Sequence, residues 1–145
     1  MSLTGQVLRV HEAIYRATDG LLGHKMIGVP CLLLRTTGRR SGQTRTGSLV
    51  YARDGADYVV VASKGGADEN PAWLLNLRAN PDVEIQIGRQ RQRARAREVT
   101  SSDPDYRRLW KLVNDNNRGR YDGYQKLTKR EIPLVVLSPQ VPAAT

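Results

Sequence analysis

Three stretches of this chain gather residues that could hold an anion or donate a proton. Thr36-Thr37-Gly38-Arg39-Arg40-Ser41-Gly42-Gln43-Thr44-Arg45 sets three guanidiniums and several hydroxyls among glycines. Glycines let backbone amides approach an oxyanion, and arginine offers a planar fork suited to phosphate or carboxylate. A solvated basic hairpin loop is the plain alternative. Ser63-Lys64-Gly65-Gly66 leaves an apolar run and leads to Asn70-Pro71, where a lysine, glycine amides and a helix N-terminus can converge on one phosphate. The G-x-x-x-x-G-K-[ST] spacing is missing, so this is not a P-loop. Tyr121 and Tyr124 stand three apart in a polar segment. They could share a helical face as neutral hydrogen-bond donors, or equally fasten the segment to the core.

Other residues carry weaker signals. Arg89, Arg91, Arg93, Arg95 and Arg97 alternate, so a strand here projects all five from one face and invites nucleic acid. Asp82 and Glu84 fall opposite two of them, and the strand has no aromatic on which a base could stack. A solvated, partly ion-paired face is favoured over a nucleic-acid surface. Trp73 could wall a planar ligand, but a lone Trp on a short helix is usually core. Cys31 sits in the apolar run Pro30–Leu34 and reads as a small core residue. With His11, His24 and that one thiol, no sequence-adjacent zinc or iron-sulfur ligand set exists, no metal site is expected, and Ser-His-Asp or Cys-His catalysis is poorly supplied.

The elements that must position these groups follow from pattern. Leu3, Val7, Val10 and Ile14 place an apolar stripe on a helix ending near Asp19-Gly20, followed by a short link over 21–28. Val29 to Arg35, Leu49 to Arg53 and Tyr58 to Ala62 read as strands, with Asp54-Gly55 as a turn. Asn70 as N-cap and Pro71 in the first turn open a helix that Asn80-Pro81 stops. Val83, Ile85 and Ile87 alternate with polar residues, and a Gly88-Arg89 turn leads to a strand through Arg97. A two-residue loop fixes the register, with Glu84 opposite Arg93, Asp82 opposite Arg95 and Ile85 opposite Gln92. Asp103-Pro104 opens a helix carrying Tyr106, Leu109, Trp110 and Val113, and Ile132 to Leu137 is a final strand.

About six strands in three groups, with short helices between them, predict a mainly β (α+β) split β-barrel rather than a Rossmann sheet. A single domain over 1–138 with a flexible tail over 139–145 is expected. At 145 residues a chain buries roughly 68% of its unfolded surface, enough to fold without disulfides. The net charge of +9 predicts an anionic partner. No leader or membrane-spanning run is read, so the expected address is the cytoplasm. Arg9, Arg16 and Lys25 leave peripheral membrane contact through the first helix open.

Thr37-Gly-Arg-Arg-Ser-Gly-Gln-Thr-Arg45, Ala62-Ser-Lys-Gly-Gly66 with Asn70-Pro-Ala-Trp-Leu-Leu-Asn-Leu77, and Tyr121-x-x-Tyr124-Gln-x-x-Thr-x-Arg-x-Ile-Pro133 together resemble the deazaflavin-dependent nitroreductase family of actinobacteria, over roughly residues 29 to 137. The resemblance implies an FMN-binding split-barrel-like fold that takes coenzyme F420, an 8-hydroxy-5-deazaflavin with a phosphodiester and a glutamate tail. It implies hydride transfer from the reduced deazaflavin to a quinone, nitroaromatic or similar activated acceptor. Carried over by motif, Arg39, Arg40, Ser41, Arg45 and Lys64 would hold phosphate and tail, Thr46, Ser48, Ala62, Gly65 and Gly66 would complete the cofactor site, and Ser63, Ala72, Trp73 and Asn76 would line the ring. Ser63, Tyr121 and Tyr124 would donate to the acceptor as its negative charge develops. Some relatives carry a further tyrosine where Arg118 stands here, which implies a changed acceptor pocket. Three alternatives stay open: an FMN-type split-barrel oxidoreductase, a non-enzymatic anion or nucleic-acid binder, and an F420 carrier without turnover. Monomer and homodimer both fit the sequence.

Overall fold

The computed structural model describes residues 29–140. The helix read near the N-terminus, the link after it and residues 141–145 of the expected tail lie outside the described residues. The chain runs β1 (Cys31–Thr37), β2 (Thr44–Val50), β3 (Ala52–Asp54), β4 (Asp57–Val61), a 3-10 turn (Lys64–Gly66), α1 (Ala72–Ala79), β5 (Asp82–Ile87), β6 (Gln90–Val99), α2 (Tyr106–Asn116), α3 (Arg120–Gln125) and β7 (Leu134–Pro139). No helix among the described residues is long and apolar enough to cross a membrane.

All pairings are antiparallel, in one seven-stranded sheet of order β2-β1-β5-β6-β7-β4-β3. The seventh strand arises because the segment read as extended only from Leu49 pairs with β1 from Thr44 onward. Thr44 and Arg45 therefore belong to β2, and the arginine loop shrinks to residues 38–43. Pro139 is likewise strand rather than tail, opposite Ala94, and the Gln140 amide donates to Arg93 O at 2.9 Å.

The two edge strands are consecutive in sequence, joined by Tyr51 alone, so the sheet curls into a half-barrel. The turn is pinned on several sides. The Tyr51 amide donates to Pro30 O at 3.1 Å, Asn116 Nδ2 donates to Tyr51 O at 2.9 Å, and the Tyr51 ring meets Tyr58 edge-on at 5.3 Å.

Alternation divides the apolar residues between two cores. Leu32, Leu34, Val60, Ile85, Val135 and Leu137 point inward with Leu74 and Leu77 of α1, while Val59, Val61, Leu134 and Val136 point outward under Leu109 and Val113 of α2. Each fully buried aliphatic side chain is worth about 1.5–3 kcal/mol relative to exposure, so the sheet is anchored on both faces.

The β5–β6 hairpin has the register the charges required: Glu84 opposite Arg93, Asp82 opposite Arg95, Ile85 opposite Gln92. Arg95 pairs with Asp82 at 3.1 Å and Arg97 with Asp103 at 2.7 Å. Glu84 instead leans across the sheet to Arg35 of β1, 3.8 Å away. Arg89 lies in the turn, so four arginines rather than five alternate along β6.

Four antiparallel steps separate β1 from β4, so the two strands run the same way. The loops leaving Thr37 and Val61 therefore emerge at the same end of the sheet. Both basic loops thus share one end of the sheet.

Candidate functional site

The arginine loop is a compact reversal in which the Gly38 amide donates to Gln43 O at 2.7 Å and the Gly42 amide to Gly38 O at 2.8 Å. Ser41 Oγ accepts from the Gln43 amide at 3.2 Å. What fixes the loop to the body is Asn76, only 4% exposed. Its Oδ1 accepts from the Arg39 amide at 3.1 Å and from Arg39 Nη1 at 3.4 Å, and its Nδ2 donates to Thr36 Oγ1 at 3.2 Å. Asn76 is thus a clamp that spends both ends of its amide on the protein.

Arg39, Arg40 and Arg45 are exposed, and none of them forms an ion pair among the described residues. Arg45 is opposite Thr36 and alternates with Gly47 and Leu49, which puts it on the side of the sheet that Asn76 and α1 cover. Thr46 and Ser48 are opposite Arg35 and Leu33 and so belong to the other side. The structure gathers Arg39, Arg40, Ser41 and Arg45 and sets Thr46 and Ser48 apart from them.

The second loop starts from Ala62, fully buried in the inner core, and Ser63, 8% exposed. Lys64, Gly65 and Gly66 all have positive φ, at 47°, 66° and 88°. A Cβ on Gly66 would stand 2.7 Å from Tyr124 O and 3.0 Å from Leu127 Cβ, whereas Gly65 faces open space. Gly66 is the point where α3 and the segment after it press on the loop. The exposed Lys64 has one acidic neighbour, Glu69, with Nζ to Oε2 at 3.5 Å. Ala72 is exposed and Trp73 half-buried on the first turn of α1. Trp73 precedes Asn76 by three residues and shares its face. It packs against the inner core.

One residue that carried no role in the sequence holds this loop together. Arg130 donates through Nε to Ala67 O at 2.8 Å, through Nη1 to Asn70 Oδ1 at 3.1 Å, and through Nη2 to Ala62 O at 3.2 Å and Ser63 O at 2.9 Å. Burial lowers its pKa from the ordinary guanidinium value, and Asp68 opposes that shift. Asn70, expected as an N-cap, is used by Arg130 instead, and Pro71 caps α1 without a side-chain bond. Arg130 is itself supported. Gln125 Nε2 donates to Arg130 O at 2.7 Å, the Ile132 amide donates to Gln125 Oε1 at 3.0 Å, and Thr128 Oγ1 donates to Asp68 at 2.8 Å.

Tyr121 is 6% exposed within the outer core, and burial pushes its phenol well above the ordinary tyrosine range. Asn117 Oδ1 accepts from Arg120 Nη1 at 3.1 Å, and the Asn117 side chain opposes the effect of burial on the Tyr121 phenol. Tyr124 is half-buried with its ring 6.1 Å from that of Tyr121, and its carbonyl abuts Gly66. Tyr121 and Tyr124 thus lie side by side, and the Tyr124 backbone meets the second loop at Gly66.

Two open recesses lie on this side of the molecule. One, about 550 Å³, borders the second loop through Asp68, Thr128 and Arg130; the other, about 580 Å³, runs past the stacked Tyr106 and Trp110 to Gln125. Neither is lined by the arginine loop. Among the described residues Lys64 pairs with Glu69 and Arg39, Arg40 and Arg45 form no ion pair, a donor set that suits an extended polyanion lying over the surface.

Comparison with known proteins is consistent with that chemistry. The profile of the F420H(2)-dependent quinone reductase family matches residues 7–139. An F420H(2)-dependent quinone reductase of Mycobacterium tuberculosis strain H37Rv is 55% identical over 134 residues, covering 92% of this chain and 90% of that protein. A solved F420-H2 dependent reductase superposes with a TM-score of 0.68 at 34% identity, over 75% of this chain and 94% of its own. A second solved structure, described as a domain-swapped dimer, has a TM-score of 0.69 at 33% identity over 94% of this chain and all of its own.

Proposed function

With this chain belonging to the F420H(2)-dependent quinone reductase family, we propose that its two basic loops hold the anionic arm of coenzyme F420 and that Ser63, Tyr121 and Tyr124 serve the acceptor. The chain is an oxidoreductase that uses F420 and reduces quinones. The reduced deazaflavin supplies the hydride. What the protein contributes is placement, charge and exclusion of water.

The observation that supports the assignment best is the path Thr36–Asn76–Arg39, which locks the arginine loop to the helix that the second loop feeds. Arg39, Arg40, Arg45 and Lys64 would neutralise phosphate and carboxylates, and the exposed heads of Arg40 and Arg45 suit a tail of variable reach. Trp73 and Ala72 offer the ring a wall at the start of α1. Thr46 and Ser48, on the far side of β2, are left out of the cofactor site, and Asn76 acts by holding Arg39.

At the acceptor, the Tyr121 phenol carries its proton at neutral pH, as an ordinary tyrosine does, and would donate to a quinone oxygen as charge builds there. Tyr124, in edge-on contact with it, would add a second donor. Arg118, with φ of 59°, is exposed just before α3.

A fluorescence titration of oxidised F420 tests the cofactor assignment. Arg40→Ala and Lys64→Ala should each weaken binding by about 1–3 kcal/mol, the range for a lost charge-assisted hydrogen bond. Tyr121→Phe should lower kcat for quinone reduction while leaving the F420 Kd unchanged. Unaltered affinity in both loop variants would sink the assignment of the loops.

A further inference from the structure

The polar groups of the second loop converge on a residue that lies 60 or more positions away in sequence. Four of the five N–H groups of Arg130 are spent on that loop, on the carbonyls of Ala62, Ser63 and Ala67 and on the side chain of Asn70. The loop needs such a hold. Three successive residues, Lys64 to Gly66, lie at positive φ, and Lys64 has no glycine's freedom there. Within the loop only the Gly66 amide to Ser63 O, 2.9 Å, and the Ala67 amide to Lys64 O, 3.2 Å, close it on itself.

We propose that Arg130 is a positioning residue for the F420 site: its guanidinium fixes the Ser63–Gly66 backbone in the conformation that presents Lys64 and Ser63 to the cofactor. This rests on the assignment of that loop to F420 given above. Two physical effects follow from one contact set. The guanidinium draws three carbonyl oxygens to itself, and their partial negative charge no longer opposes an anionic ligand. It also holds in advance a strained backbone that the ligand would otherwise have to order on binding, and a site competent only part of the time binds more weakly by that fraction. Lysine could not replace it, since a single ammonium cannot reach four acceptors spread from Ala62 to Asn70.

The flanking residues are arranged for the same end. Gln125 grips Arg130 O and the Ile132 amide, and Thr128 Oγ1 both accepts from the Arg130 amide at 3.3 Å and donates to Asp68 within the loop. The segment 125–132 is thereby a brace whose contacts end on the loop, and Arg130 is its point of load.

The test compares wild type, Arg130→Ala and Arg130→Lys by three measurements: titration of oxidised F420, steady-state kinetics with F420H2 and a soluble quinone, and amide hydrogen exchange. Expected are a tenfold or greater rise in F420 Kd, a KM for F420H2 that rises more than kcat falls, and faster exchange at residues 63–67 with β5 and β6 unchanged. Guanidinium chloride at tens of millimolar should recover part of the affinity of Arg130→Ala, where sodium chloride at equal ionic strength does not. Should Arg130→Ala fail to fold, Arg130→Lys carries the same readouts. An F420 Kd within twofold of wild type, or a loss of affinity with no local change in exchange, overturns the proposal. Failure of the underlying loop assignment looks different, because Lys64→Ala would then bind F420 as wild type does.

Discussion

Removing the amide of Asn76 isolates what the clamp between α1 and the arginine loop is worth. Asn76→Ala deletes three hydrogen bonds, two into Oδ1 from Arg39 and one from Nδ2 to Thr36. At about 1 kcal/mol net for each, the direct loss is about 3 kcal/mol. Thr36 is 2% exposed, so its hydroxyl is left with little water to turn to. Alanine's better helix propensity returns roughly 0.5 kcal/mol. A net destabilisation of about 2–3 kcal/mol should lower Tm by roughly 6–10 °C for a domain of this size. The functional effect is separate from the stability effect. With Arg39 released, the loop samples other conformations, and if it is competent a tenth of the time the F420 Kd rises about tenfold. Thermal melts and F420 titration well below the melting range read the two terms independently. Arg78→Ala is the control, an exposed residue of the same helix paired with Glu98, where the expected cost is about 0–1 kcal/mol and F420 affinity is unchanged. An Asn76→Ala protein that stays folded and binds F420 within twofold of wild type would refute the idea that this clamp orders the cofactor site.

Three other outcomes follow from the same geometry. Gly66→Ala, with φ of 88° and a Cβ driven to 2.7 Å from the Tyr124 carbonyl, should cost more than about 3 kcal/mol in denaturant unfolding, whereas Gly65→Ala, in open space, should cost about 1–2 kcal/mol. Glu69→Gln removes the carboxylate 3.5 Å from Lys64 and should tighten F420 binding roughly two- to fivefold, as expected for an exposed pair, measured by titration at low salt. Burial pushes the Cys31 thiol up to about 11 from an ordinary value of 9.0, so the folded state resists ionisation that the unfolded chain accepts. Its contribution is complete below pH 9 and is lost as pH rises through 11, amounting to about 3 kcal/mol at most. Urea unfolding of wild type between pH 8 and 11 should therefore fall more steeply than that of Cys31→Ala.

The parts of the molecule legible in its sequence are those governed by local pattern. The hairpin register followed from a two-residue turn and complementary charges, and the helix at Ala72 from Asn70-Pro71 and Asn80-Pro81. The family was legible too, through three motif blocks in order. Illegible was the extension of β2 back to Thr44, because Thr-Arg-Thr-Gly-Ser has no apolar alternation and becomes strand through pairing with β1. Illegible for the same reason was the side of the sheet that Thr46 and Ser48 occupy, since only the register against β1 decides it. Asn76 and Arg130 both stand in quoted motifs, yet their work is done across 40 and more than 60 residues of sequence, where spacing carries no signal. A polar residue that serves a fold looks, in one dimension, like a polar residue that serves a ligand.

The place of β7 in the sheet bears on the order in which the molecule can be completed. β7 is last of the seven strands in sequence, yet it lies between β6 and β4, bonded to both. Until it arrives, the sheet exists as two separate pieces, one carrying the arginine loop and the other the lysine loop. Each piece then shows an open strand edge, the feature that invites pairing with another chain. The brace 125–132 immediately precedes β7 in sequence, so the segment that holds the lysine loop and the strand that joins the two halves are neighbours in the chain. Losing β7 would thus part the strands that lead to the arginine loop from those that lead to the lysine loop.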